Sequence, residues 1–214
     1  MPSLPGPGAS MPAASDPNRE PSAMSLTIAL PCMPASQQAS PADVIDAYLR
    51  AKDGNRPHLL RSAFTDTATL RMHVRTAGIS FPPGAVGRQA IAQLLVSRFN
   101  ETWENIYTLC VGRPPPAGVT SFTCAWLVAM SAKLDRQVRV GCGRYDWVFD
   151  AGTGLARSLV ITIDAMETTS WDVDAMIDWA SALPYPWCDA RRLESGTPSA
   201  PALRAVLARM RPLT

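Results

Sequence analysis

Charge is scarce in this chain. Asp, Glu, Lys and Arg make up 18% of its 214 residues and the formal net charge is +2, so the basic footprint of a nucleic-acid binder is missing. Histidine occurs twice, as His58 and His73, neither beside a carboxylate in sequence, and no metal site is expected. The five cysteines (32, 110, 124, 142 and 188) contain no CxxC pair. That argues against a zinc ribbon and a disulfide scaffold and points to a reducing, cytoplasmic compartment. No stretch approaches 18 consecutive apolar residues, so no membrane-crossing helix is coded. Gly141-Cys-Gly143 and Gly152-Thr-Gly154 do not open a helix after a strand, so they form no phosphate cradle and imply no cofactor. Lysine is nearly absent too: Lys52 and Lys133 stand among twenty basic residues, a bias that reads as a GC-rich, bacterial genome.

What is present is unevenly spread. Residues 1–40 hold eight of the twenty prolines, no aromatic residue and three charges, Asp16, Arg19 and Glu20. Such a segment cannot bury enough apolar surface to offset its ordering entropy, and disorder is expected. It makes a poor secretory signal, and Met24 is a plausible alternative start. All fifteen aromatic residues lie between Tyr48 and Trp187, which places the core-forming domain at 41–188. Residues 189–214 form an Arg-rich tail in which Leu203, Val206, Leu207 and Met210 keep helical spacing.

The domain opens on a helix signal. Ser40 can cap, Pro41 fits the first turn, and Asp43 stands three residues after the cap. Val44, Ile45, Tyr48 and Leu49 then share one face. A short helix follows from Pro57. Ala68, Leu70, Met72 and Val74 alternate with Thr69, Arg71, His73 and Arg75, the period of a half-buried strand. After a Gly/Pro-rich loop over 78–87, Ile91, Leu94, Leu95 and Phe99 mark a third helix. Strands are expected over 105–112, 119–131, 136–149 and 156–167, the last two joined by the turn Asp150-Ala-Gly-Thr-Gly154. A helix over about 172–182 closes the series. Early helices and a later meander of long strands mean α+β with a mostly antiparallel sheet.

Two stretches carry a family resemblance. Tyr48-Leu-Arg-Ala-Lys-Asp-Gly-Asn with Phe64-Thr-Asp-Thr-Ala-Thr-Leu70 is similar to the helix–Gly–helix–strand opening of ketosteroid isomerases. Gly143-Arg-Tyr-Asp-Trp-Val-Phe-Asp150, with the turn and the strand from Leu155, matches the later sheet. From 41 to about 169 the chain resembles the NTF2-like superfamily, which includes ketosteroid isomerases, SnoaL-type cyclases and limonene epoxide hydrolases. The resemblance implies a cone: a curved sheet wrapped around the N-terminal helices, with an apolar pocket inside. It sets Tyr48 at the isomerase oxyanion-donor position and Tyr145 near the oxyanion acid. It sets Met72 where the isomerase base would stand, which removes steroid-type isomerisation. Arg144-Tyr-Asp146 lies one strand too late for an epoxide-hydrolase set.

Alternation places Gly141, Gly143, Tyr145, Trp147 and Phe149 on one face, a tapered pocket wall. On the last strand Ser158, Val160, Thr162 and Asp164 are expected to face inward, with Leu159, Ile161 and Ile163 outward. Asp164 is then the catalytic acid or base, its pKa raised by an apolar pocket, with Tyr48 and Tyr145 as donors. Met72, Trp126, Trp147 and Thr162 are expected to line the ligand. An outward apolar face asks for a cover, which predicts a homodimer through the outer sheet face, with the tail helix as the competing cover. Leu183-Pro-Tyr-Pro-Trp-Cys188 reads as a clasp in which Tyr185 and Trp187 dock. Two functions stay open: a binder of a small, mainly apolar molecule with cofactor-free cyclase or isomerase chemistry, or a non-catalytic scaffold whose cone is filled.

Overall fold

The computed structural model describes residues 38–195 and 200–210. The expected disorder over 1–40 and the alternative start at Met24 therefore lie outside the described residues, apart from 38–40. Those three are anchored: Gln38 Nε2 donates to the Ala151 carbonyl (2.6 Å) and Ala39 N to the Thr153 carbonyl (3.2 Å). Gly154, with φ +76°, passes so close to the Ala39 carbonyl that a Cβ would lie 2.1 Å from it.

Helix α1 (Pro41–Asp53) starts as its residues dictate. The Ser40 hydroxyl accepts from Asp43 N, which caps the helix, and donates to the Asp43 carboxylate. Its buried stripe is Val44, Ile45, Tyr48, Leu49 and Lys52. A 3-10 turn (Pro57–Ser62) leads into β1 (Phe64–Val74). The loop expected over 78–87 contains a short strand, β2 (Gly84–Val86), antiparallel to β1. The third helix is not regular. It runs as α2 (Arg88–Ala92), a π-helical turn (Gln93–Ser97) and α3 (Phe99–Thr102).

Four long strands follow: β3 (Trp103–Val111), β4 (Ser121–Ala132), β5 (Val138–Phe149) and β6 (Ala156–Thr168). Then come α4 (Val173–Ser181), β7 (Trp187–Cys188), α5 (Ala190–Ser195) and α6 (Pro201–Arg209). The sheet order is β2-β1-β6-β5-β4-β3-β7, antiparallel except where β1 meets β6 and β3 meets β7. This is the α+β cone expected of an NTF2-like chain: one curved sheet around N-terminal helices.

The sheet has two apolar faces. The inner one packs α1 and the helical segment after β2 against Met72, Trp126, Tyr145, Trp147, Ile161 and Ile163. The outer one joins Leu109, Leu127, Ala129, Val138, Val140 and Cys142 to α4, α5 and α6. Helix α4 lies on β3 and β4, and α6 lies on β5 and β6, with Leu203 and Val206 fully buried. So the chain's own C-terminal helices, the competing cover of the sequence reading, cover the apolar outer face, and that face is not the one expected: it is built on β3, β4 and β5 and not on Leu159, Ile161 and Ile163.

The register of β6 corrects the sequence reading. Leu159, Ile161 and Ile163 belong to the inner core, and Ser158, Val160, Thr162 and Asp164 are on the other side. The cone interior is the drier face, so the three large aliphatics take it and the polar set turns out. A bulge then resets the strand. Gly143 pairs with Ile163 but Cys142 pairs with Ala165, leaving Asp164 as the extra residue. Opposite it, a Cβ on Gly143 would stand 1.9 Å from the Thr162 carbonyl and 2.7 Å from the Trp126 ring. Only glycine fits both the bulge and the indole.

Because Val206 is fully buried under the outer face, Val206→Asp should cost more than about 3 kcal/mol in urea unfolding. Val86→Asp, at a position 75% exposed, should stay within about 0.5 kcal/mol.

Candidate functional site

The cone is lined by rings. Tyr48 makes edge contacts with Phe64 (5.9 Å between centroids), Tyr145 (5.8 Å) and Trp147 (5.4 Å). Trp126 stacks on Tyr145 at 5.6 Å, and Trp147 on Phe149 at 6.2 Å. The rings of β5 meet because Tyr145, Trp147 and Phe149 alternate onto one face, as expected. What they leave is a cavity of about 50 Å³. Ligand sites for whole small molecules usually run to about 300–1,000 Å³. This one has room for about four waters, at ~10–15 Å³ each. Partly exposed Ile79, Phe81 and Phe99, with Leu95, stand at one side of it.

The polar groups lining this cavity are few: Tyr48, Tyr145, Thr108, Lys52 and the Trp126 indole. No carboxylate of the described residues is among them. The Tyr48 hydroxyl and the Trp126 Nε1 are buried without a hydrogen-bond partner among the described residues. Burial drives the Tyr48 hydroxyl well above its ordinary pKa, with the Tyr145 hydroxyl offsetting part of the rise. Burial raises Tyr145 as well, and the Tyr48 hydroxyl beside it adds to the effect. Both phenols are therefore neutral donors at physiological pH and poor bases.

Lys52 and Asp53 form the polar anchor of the cone. Their side chains are 8% and 7% exposed, and Nζ lies 2.5 Å from Asp53 Oδ1. Lys52 Nζ also donates to Thr108 Oγ1 at 2.6 Å, which in turn donates to Asp53 Oδ1 at 2.9 Å. Asp53 Oδ2 accepts from Thr108 N (2.8 Å) and from the Tyr185 hydroxyl (3.1 Å). The Phe99 ring lies 5.3 Å from the ammonium. Asn100 Nδ2 bonds the Lys52 carbonyl at 2.8 Å and so ties the end of α1 to the helical segment before β3. Sequence reasoning passed over Lys52. The signal was there: Lys52 stands four residues after Tyr48 and seven after Ile45, on the buried stripe of α1, where an unpaired lysine is not expected.

The clasp expected from Leu183 to Cys188 docks as read. Tyr185 reaches Asp53, the Tyr185–Pro186 bond is cis, and Trp187 lies against Phe122 at 6.0 Å between rings while pairing with Cys110 on β3.

The predicted site residues divide into two groups. Tyr48, Tyr145, Met72, Trp126 and Trp147 come together inside the cone. Asp164 and Thr162 do not join them. Both lie on the outer side of β6, where Asp164 Oδ1 pairs with Arg75 Nη1 at 3.1 Å. An inward acid at 164 and an inward Thr162 are therefore ruled out by the register. His58 and His73 are exposed. Cys110, Cys124 and Cys142 are buried among apolar neighbours.

No family model matches this sequence, and no curated protein does. Solved structures do resemble it. An NTF2-like protein from Burkholderia thailandensis is 15% identical, over 58% of this chain and 91% of its own, at a TM-score of 0.44. A Δ5-3-ketosteroid isomerase from Mycobacterium sp. is 16% identical, over 61% and 99%, at 0.48. An NTF2-like protein of unknown function from Exiguobacterium sp. is 20% identical, over 56% and 98%, at 0.43. These likenesses concern the fold.

Tyr48→Phe removes a buried hydroxyl whose polar neighbour is the Tyr145 hydroxyl and keeps the ring, so it should change stability by no more than about 1 kcal/mol. Tyr48→Ala empties the centre of the ring cluster and should cost about 3–5 kcal/mol. Paired thermal melts would read both.

Proposed function

We propose that this chain binds a small, mainly apolar molecule at its cone, and that it does so without acid–base catalysis. The observation that carries this reading is the set of buried, unpartnered donors around an apolar cavity that no carboxylate lines. Cyclisation or isomerisation without a cofactor needs a group that takes a proton from carbon. Within the cone the candidates are two neutral phenols and a lysine bound to a carboxylate. Asp53 is engaged by Lys52, Thr108 and Tyr185 and does not line the cavity. Asp164, the acid expected from sequence, sits outside.

The rival reading, a scaffold with a filled cone, is favoured by one observation, the small volume. The ring contacts leave about 50 Å³, so a ligand enters head first or displaces the flexible Met72, Met130 and Met166 of the wall. Native mass spectrometry of the full chain separates the two. A small extra mass that Trp126→Ala abolishes supports binding. An empty chain, whose tryptophan fluorescence no apolar ligand alters, would replace this reading with the scaffold. Asp164→Asn should leave any such binding unchanged, and loss of binding there would contradict the assigned face.

Homodimerisation through the outer sheet face has only the polar half left to use. Exposed Thr69, Arg71, His73 and Thr123 lie there beside Arg144 and Asp146. A pair formed on such a surface is held by exposed charge and is screened by salt. Light scattering should show a dimer that dissociates as salt rises. A dimer indifferent to salt would point to another face.

A further inference from the structure

The donors around the cavity specify more than an apolar ligand. We propose that the cone binds the carboxylate head of an apolar monocarboxylic acid, with Lys52 as the residue that selects the anion. This rests on the reading that the cone is a binding site and names the class of molecule it takes.

The first observation is the imbalance between donors and acceptors. The Trp126 Nε1 reaches no acceptor among the described residues, the Tyr48 hydroxyl has the Tyr145 hydroxyl as its polar neighbour, and both the Tyr48 and Trp126 side chains are more than nine-tenths buried. Lys52 carries three N–H donors and has two acceptors, Asp53 Oδ1 and Thr108 Oγ1. On the acceptor side the cavity offers little. Thr108 Oγ1 already accepts from Lys52 and donates to Asp53. A group that brings several lone pairs and no hydrogen satisfies these donors, and a carboxylate brings about four lone-pair sites.

The second observation concerns charge. Asp53 does not depend on Lys52 alone. Its two oxygens also accept from Thr108 N, Thr108 Oγ1 and Tyr185 Oη. Three donors other than the ammonium therefore hold the Asp53 charge, and Lys52 stays attractive to a second anion. A hydrogen bond from an ionised donor to a carboxylate is about twice as strong as one between neutral groups. In this dry setting the acid is preferred over its ester.

The third observation is size. A cavity of about 50 Å³ takes a head group and leaves out a ring system. The rest of the ligand would leave past Ile79, Phe81 and Phe99, the partly exposed apolar residues of the lining, which suit an alkyl or aryl tail. Tyr48 and Lys52 meet in the same space because they stand four residues apart on α1, one turn above each other. Trp126 reaches it from β4 across Gly143.

The test compares acids with their own esters on the full chain. Butanoate, octanoate and dodecanoate are titrated by calorimetry, each beside its methyl ester. At least one acid should bind about tenfold or more tighter than its ester, and Lys52→Met should erase the difference. That variant leaves Asp53 without its ammonium and can fail to fold. Tyr48→Phe and Trp126→Phe then serve instead, each expected to weaken the acid several-fold and the ester little. Acid and ester binding equally, or the ester binding tighter, would overturn the carboxylate assignment while leaving the cone a binding site. If neither acids nor esters bind, both this inference and the binding reading fall.

Discussion

The buried pair of Lys52 and Asp53 is the constraint on which the two ends of the fold depend. Taking an ammonium and a carboxylate out of water costs several kcal/mol per ion, and their attraction alone rarely repays it. Here the cost is offset by neighbours from distant parts of the chain: Thr108 from β3 and Tyr185 from the clasp, with Asn100 fixing the backbone at Lys52. Each partner lost would leave the buried charges short of a bond, so helix, strand and clasp are held to one another here. Residue type matters as well. In a chain whose basic residues are nearly all arginine, this place holds a lysine. A guanidinium presents five N–H groups in a rigid fork, more than the two acceptors at this place can satisfy.

From that anchor the two faces of the sheet acquire different tasks. The inner face closes on α1 through aromatic contacts centred on Tyr48. The outer face would be a broad apolar patch if the chain ended at β6. Helices α4, α5 and α6 cover it, and Cys142 Sγ packs 3.5 Å from the Val206 carbonyl beneath α6. The tail is therefore part of the fold's hydrophobic accounting and not an appendage. The uncovered strip of the sheet is the one whose residues are polar, Thr69, Arg71 and His73 on β1 and Thr123 on β4. Covering helices and polar positions divide the outer face between them.

Much of this was legible in the residues. Capping by Ser40 and Asp43, the switch to period two at Ala68, the wall of Tyr145, Trp147 and Phe149 and the docking of the clasp all follow from local chemistry, and the structure carries each. The misreadings were of another kind. In β6 the alternation holds with the opposite phase to the one expected from sequence. Burial prefers Leu159, Ile161 and Ile163, and the phase choice inverted the whole strand. The bulge at Asp164 depends on Gly143 across the ladder and leaves no mark in β6 itself. The π turn in the third helix and the short strands β2 and β7 are set by tertiary pairing. Lys52 was overlooked because lysine is read by default as surface, although its place on the α1 stripe argued otherwise.

Removing Asp164 from the cone changes what the interior can do. A cavity with two phenols held neutral, an indole N–H, an ammonium and no free carboxylate can offer hydrogens and cannot remove them. On the proposed reading, such an interior would meet negative charge that a molecule already carries. Among the described residues, Asp53 stands beside this lining and accepts four hydrogen bonds. The pair is thus asymmetric: Asp53 takes its bonds from α1, β3 and the clasp, while Lys52 has two acceptors for three N–H groups and lines the cavity.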